Sequence, residues 1–282
     1  MSRIADDLTR TTLPRVEGQR STPAVAFGAL LLRDLAVLRK HIVEFVLRTV
    51  MQPLLFVFVF TYVFPKIGQG VGGAQGAKAF SSLLVPGVVA IACIFQGIQA
   101  VALPLVADFG YSREIEDRVM APLPVWAVGA GKLLAGAIQG VVAALIVFPL
   151  AAVVPATPVH LDVRWAELLT VLPLAALVGA SLGLLIGTLA PPRQVPLIFG
   201  LVVIPITFLG ATYYPWASLD AIPWLQVLVL VNPLVYMSEG FRIALTPGIH
   251  HMPVAAMYAG LLGAIAILGG FGIRGFVRRV QS

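Results

Sequence analysis

Apolar residues recur along this chain in two patterns, one with the period of a helix surface and one with hardly an interruption. From Phe27, a step of 100° per residue puts Phe27, Leu31, Leu35, Leu38, Ile42 and Phe45 on one narrow stripe, with Arg33, Lys40, Glu44 and Arg48 roughly opposite. The pattern predicts an amphipathic helix over residues 24–48. It suits a helix lying flat on a membrane, its basic side chains among anionic headgroups and its stripe sunk beneath them. A soluble helix packed on a partner would carry the same stripe. Six long apolar runs follow, at about 49–64, 80–106, 133–154, 168–189, 195–212 and 254–273, each free of charge. All but the first reach the roughly 18 residues needed to cross about 30 Å of hydrocarbon, and the first borrows length from Phe45–Leu47.

Without water in the bilayer core only helices or closed barrels satisfy the backbone, and unbroken apolar runs exclude the alternation of barrel strands. The predicted fold is therefore an all-α integral membrane protein. Residues 1–23, rich in Arg, Thr and Ser without apolar period, read as a mobile cytoplasmic tail. Residues 24–48 read as the interfacial helix, and 49–282 as a domain of six transmembrane helices. Of the 19 Lys and Arg residues, 15 fall on one set of alternate sides and four on the other. Both termini and the loop between the second and third spans are thus expected in the cytoplasm, under the positive-inside rule. Tyr213, Tyr214, Trp216 and Trp224 fall at the outer boundary, where amphipathic rings settle. Between the fifth and sixth runs, 224–231 is apolar but too short to cross, which predicts outer re-entrant helices broken at Asn232 and Pro233.

Composition agrees with this reading and narrows the chemistry. Hydrophobic residues make up 59% of the chain and charged ones only 11%, against about 25% in a soluble domain. The net charge of +6 flanks apolar runs and is not gathered on one face, so no nucleic-acid partner is expected. The single cysteine, Cys93, forms no internal disulfide. Gly68, Gly70 and Gly73 satisfy a dinucleotide-binding spacing, but no strand precedes them, and a flexible loop is the reading. Gly131-Lys132 resembles the end of a phosphate loop, yet Trp126 and Leu133 occupy positions that need Gly and Ser or Thr, so Lys132 reads as a headgroup-seeking residue at the end of the third span. His41, His160, His250 and His251 lack ligand spacing. No serine elbow or paired carboxylate is present in the spans. The chain is expected to carry no catalytic, cofactor or metal site of its own.

Within the spans polar groups are few. Gln96 and Gln99 share a face of the second, Gln139 lies in the third and Thr207 in the fifth. They either touch a passing substrate or bond neighbouring helices. Gly179, Gly183 and Gly187 in the fourth span, and Gly136 and Gly140 in the third, present flat faces for close packing, within the chain or between subunits. Pro53, Pro86, Pro104, Pro149, Pro173 and Pro205 are expected to kink or end spans. The loop from Asp108 to Trp126 carries the dense mixed charge Ser112-Arg113-Glu114-Ile115-Glu116-Asp117-Arg118. It is either a short amphipathic helix offered to a cytosolic partner, with Ile115 and Val119 on one face, or a solvated loop.

These features together resemble the permease subunits of ABC-2-type transporters, the exporter group that includes daunorubicin-type drug, lipid and nodulation-factor systems. The resemblance rests on the N-terminal amphipathic helix, the six runs, Arg113–Arg118 leading through Ala121-Pro122-Leu123 to Gly131-Lys132-Leu133-Leu134, and Asn232-Pro233-Leu234-Val235-Tyr236 with Glu239 and Arg242. It implies a half-transporter in which two permease subunits, identical or different, pair with two cytosolic ATPase subunits that hold ATP and Mg. On that likeness Tyr111, Arg113, Glu114, Ile115, Glu116, Asp117 and Arg118 form a coupling helix seated in the ATPase, and residues 27–45 a connecting helix against the same partner. Asn232, Glu239 and Arg242 belong to the outer gate. The expected activity is export of a hydrophobic or amphipathic, drug- or lipid-like compound across the plasma membrane. Alternatives are export of a lipid-linked glycan or, in another class, a membrane scaffold that transports nothing.

Overall fold

A computed structural model of the chain describes residues 23–67, 73–112, 123–155, 159, 161–191 and 194–281. All regular elements among them are helical. Helix α1 is Pro23–Lys40, and α2 runs as an α-helix over Ile42–Val57, through a π-helical stretch at Phe58–Val63, and on to Lys66. Helix α3 is Gly73–Ala107 and closes in a π-helical turn at Asp108–Ser112. Helices α4 and α5 are Val125–Val153 and Trp165–Leu189. A short helical run, α6, joins Val195–Ile198, Phe199–Val203 and Ile204–Phe208. After a 3-10 turn at Trp216–Ala221 come α7, Pro223–Leu228, and α8, Pro233–Leu245. Helix α9 starts at Val254 and continues, with a π-helical stretch at Ile265–Gly269, to Gln281.

Five helices among the described residues are long and apolar enough to cross a membrane: Ile42–Val63, Phe80–Gly110, Val125–Val153, Trp165–Leu189 and Val254–Gln281. A sixth is reached if Pro223–Val231 and Pro233–Leu245, bent by 100°, form one broken span. Two expectations from sequence change here. The 195–212 run is helical in segments of only 4, 5 and 5 residues, because the chain turns at Leu209 and takes a left-handed φ of 51° at Ala211. The amphipathic segment 24–48 is also divided, since His41 (φ −111°, ψ 28°) leaves the helical basin and the first membrane-length helix starts at Ile42. Phe45, Thr49, Pro53 and Val57 then form its buried stripe, so Phe45 belongs to the packed face of the span while Val43, Glu44, Leu47 and Arg48 beside it are exposed. The break near Asn232 falls where the Asn-Pro step predicts it.

The prolines are absorbed and end no long helix. Pro53, Pro86, Pro104, Pro149 and Pro173 lie inside α2 to α5, and Pro53 and Pro104 each precede a π-helical stretch.

The centre of the bundle is α3, α4 and α5. In their most apolar windows, 72% of α3 and 67% of α5 is buried within the chain, against 22% of α2 and 17% of α9. Glycine sets how close the central helices come. A Cβ on Gly97 would lie 2.7 Å from backbone atoms of Gly179 and Ala180, and one on Gly183 would lie 2.8 Å from Ile98 Cα. Gly179, Gly183 and Gly187 meet Ile94, Ile98 and Ala102 in rising order, so α3 and α5 run parallel, as spans separated by one crossing must. Gly136 and Gly140 of α4 meet Val101 and Cys93 in falling order, the antiparallel neighbour. The glycine faces are therefore filled inside the chain. Backbone contact at this distance gives dispersion contacts that lipid cannot match.

Gly97→Ala is expected to push these backbones apart at a cost of about 1–3 kcal/mol. Gly263→Ala in α9, with open space around its Cβ, is expected to be neutral or mildly stabilising. Thermal midpoints of the detergent-solubilised protein, read by size-exclusion recovery after heating, check the contrast.

Candidate functional site

Three polar constructions interrupt the apolar bundle. The first is at the end formed by the start of α5 and the whole of α8. Glu239 and Arg242, one turn apart on α8, are fully buried and form an ion pair through Glu239 Oε1 and Arg242 Nη1. The same Oε1 accepts the Trp216 amide at 2.8 Å, and Oε2 accepts the Met252 amide at 2.8 Å. Arg242 Nη2 donates to the carbonyl of Ala211 at 2.9 Å and, more weakly, to that of Tyr214 at 3.5 Å. One carboxylate and one guanidinium thus hold the turn after α6, the 3-10 turn and the segment leading to α9. The Arg242 bond also fixes Ala211, whose left-handed φ of 51° an alanine adopts only under constraint. Asn232 completes this end: its Oδ1 caps α8 by accepting the Leu234 amide at 2.9 Å, and its Nδ2 donates to Ile206 O of α6 at 2.7 Å. Glu239 and Arg242 are thus paired, and Asn232 ties the N-terminus of the same helix to α6.

Around them lie Tyr213 and Tyr214, half-buried. Burial raises both phenols above their ordinary value, in Tyr213 against a lowering by the hydrogen bond with Thr212. Tyr213 stacks on Phe56 of α2 at 5.0 Å, and Phe56 on Phe60 at 4.5 Å, an aromatic ladder joining α2 to the turn after α6. The last carbonyls of α8 are also used, since Asp162 and Arg164 amides donate to Leu245 O and Ala244 O at 3.0 and 2.8 Å.

The second construction is a chain of amides across three helices. Thr49 Oγ1 of α2 donates to Gln96 Oε1 of α3 at 3.1 Å, and Gln96 Nε2 donates to Gln139 Oε1 of α4 at 3.4 Å. Gln96 is buried, whereas Gln99 and Gln139 are half-buried and line an open groove beside α1 and α2. Thr207, expected with them, is separate: its hydroxyl bonds Val203 O of its own helix at 2.8 Å.

The third construction is at the opposite end, at the stem of the loop between α3 and α4. Lys132, seven residues inside α4, is buried and pairs with Asp108 at 3.2 Å, so it does not reach for headgroups as the sequence suggested. Next to Asp108, Phe109 packs against Phe276 of α9 at 5.9 Å between centroids and lies under the Arg279 guanidinium at 4.5 Å. Arg279 Nη1 reaches the carbonyls of Gly187, Thr188 and Ala190 at 3.2, 2.8 and 3.2 Å, closing the C-terminus of α5. The loop stem is thus locked to α4, α5 and α9 at once. Arg113, Glu114, Ile115, Glu116, Asp117 and Arg118 lie outside the described residues. Tyr111 is described in its backbone alone, within the turn Asp108–Ser112. Lys132 with Asp108 and Arg279 escaped the sequence reading; the signal was a carboxylate and an ammonium at the edges of consecutive apolar runs. Among the described residues no group of three or more His, Cys, Asp or Glu is placed to hold a metal.

The sequence that builds this bundle matches a known family. The profile of ABC-2 type transporters matches residues 25–246. The chain belongs to the ABC-2 type transporter family. It is similar to the "Inner membrane transport permease YadH" of Escherichia coli and to that of Shigella flexneri, each 27% identical over 219 residues, or 76% of this chain and 82% of the relative. The ABC-2 match takes in the Asn232–Arg242 motif and the Asp108–Lys132 stem.

Two sets of variants test the ionic constructions of this ABC-2 chain. Glu239→Ala, which strands a buried guanidinium and two amides, is expected to cost about 3–5 kcal/mol, with Glu239→Gln losing less because it keeps an acceptor. Lys132→Met alone is expected to destabilise by a similar amount, and Asp108→Asn with Lys132→Met to recover most of it. Thermal midpoints of the four purified variants decide both.

Proposed function

We propose that the chain is one permease half of an ATP-driven exporter in the inner membrane, multi-pass, with both termini cytoplasmic. It pairs with a second permease subunit and with two cytosolic ATPase subunits that bind ATP and Mg. The observation that carries this reading is the locked loop stem, taken with membership of the ABC-2 family. Force applied to the charged segment Arg113–Arg118 reaches α4 through Asp108–Lys132 and reaches α5 and α9 through Phe109 and Arg279. A loop meant only to be solvated needs no such anchoring. In this reading residues 111–118 seat in the ATPase as a coupling helix, and α1 lies at the same interface. The Glu239–Arg242 staple with Asn232 frames the outer exit, α7 and α8 dipping into the outer leaflet and returning.

The cargo proposed is hydrophobic or amphipathic. Each buried CH₂ is worth about 0.8 kcal/mol, and most of the bundle interior offers apolar surface.

Co-expression with a cytosolic ATPase bearing a phosphate-loop motif is expected to yield a stable complex with vanadate-sensitive hydrolysis. Glu116→Ala and Arg118→Ala are expected to lower substrate-stimulated hydrolysis severalfold while membrane insertion is unchanged. Full stimulation in both variants, or hydrolysis by the isolated chain, overturns the assignment.

A further inference from the structure

Helix α9 is fastened at its two ends to different parts of the molecule. Just before its start the Met252 amide is held by Glu239. Within its first turns the Tyr258 and Thr170 hydroxyls are hydrogen-bonded at 2.5 Å, and a Cβ on Gly260 would lie 2.2 Å from the Tyr236 ring. Toward its end Phe276 is fully buried and packs against Phe109, and Arg279 holds three carbonyls at the end of α5. Between these two sets of anchors the helix is π-helical over Ile265–Gly269.

A π turn closes over five residues where an α turn closes over four, so this stretch holds one residue more than an α-helix of the same course. The π-helical stretches of α2, α3 and α6 each follow a proline, at Pro53, Pro104 and Pro196, whereas α9 contains none. No missing amide therefore accounts for the π turn of α9, and the spacing of its anchors is left as the cause. A second sign of misfit lies beside it. Ser181 of α5 is fully buried, and its hydroxyl has no hydrogen-bond partner among the described residues. It faces Gly269, where a Cβ would lie 3.2 Å from it. A buried hydroxyl left in this state marks a place where strain is held.

We infer that α9 is a register switch, held one residue over-full by its two sets of anchors. Loosening the anchors at the loop stem lets the spare residue pass out toward the C-terminal end. The last part of α9 then turns by about 100° and advances by about 1.5 Å, the step of one helical residue. The stem controls this because Phe109 touches both Phe276 and Arg279. Little bulk opposes the turn, since the residues of α9 that meet Ser181, Leu184 and Thr188 of α5 are Gly269, Gly272 and Gly275. The switch goes beyond the exporter reading and is tested on the chain alone.

Deleting Ile267 is expected to remove the spare residue with both sets of anchors still seated. The thermal midpoint of the detergent-solubilised protein then stays within about 3 °C of the unaltered chain or rises, whereas inserting an alanine after Ile267 lowers it by about 8 °C. Spin labels on Gly263→Cys and Gly270→Cys report where the spare residue sits; both positions have open space around their Cβ, and Cys93 is buried. With the π turn between them the labels stand on different flanks. Once it has left, seven residues of α-helix bring them onto one face, about 10 Å apart along the axis. Arg279→Gln with Phe109→Leu, which loosens the stem anchors, is expected to raise the fraction of closely coupled label pairs severalfold. The same two substitutions in the chain lacking Ile267 are expected to leave that fraction unchanged. No increase, an equal increase without Ile267, or a deletion that lowers the midpoint as far as the insertion overturns the switch. None of these measurements uses nucleotide or a partner, so their failure removes the switch while the exporter reading stands or falls on complex formation and hydrolysis.

Discussion

A single carboxylate organises one end of this protein. Glu239 sits where no water replaces a missing partner, and its two oxygens gather an arginine and two backbone amides from segments 23 and 13 residues away. Its worth lies less in attraction than in what its removal leaves: a buried guanidinium and amides without acceptors. By comparison the glutamine chain between α2, α3 and α4 is modest, since hydrogen bonds between membrane helices average about 0.6 kcal/mol. The ionic staple therefore decides where the α6–α9 connections lie, and the glutamines adjust helix rotation within a frame already set.

The bundle is graded in rigidity. Its axis is the α3–α4–α5 trio, where glycine lets backbone meet backbone and little can shift. Around it α2 and α9 keep most of their apolar surface outward, each interrupted by a π-helical stretch. A firm centre fastened to the loop stem, with lightly held helices outside, suits a machine in which a push at one end is carried through the middle and relaxed at the rim.

Much of this was legible in the sequence, for reasons that differ by element. Five membrane-length helices followed from charge-free length, and the bend at Asn232 from an Asn-Pro step that caps one helix and cannot continue the previous one. The 195–212 run misled because hydropathy counts apolar residues without asking whether they stay helical. Gly210 and Ala211 turn the chain there to present a carbonyl to Arg242, 31 residues on. Charge misled at residues 44–48, where Glu44 and Arg48 marked an apparent boundary inside a continuous helix. Glu239 and Arg242 were visible as a pair, but their backbone partners are nonlocal and have no signature. Asp108 and Lys132 looked like ordinary flanking charges until the fold placed them 3.2 Å apart.

The brevity of α6 has an effect on the lipid around it. Segments of 4, 5 and 5 residues rise about 21 Å, some 9 Å short of an ordinary hydrocarbon thickness. Leu197, Leu201, Ile204 and Phe208 point away from the chain, so any acyl tails against them must shorten or splay. A lipid-facing flank of that height would thin the bilayer beside it, the response expected of a hydrophobic stretch shorter than the surrounding hydrocarbon.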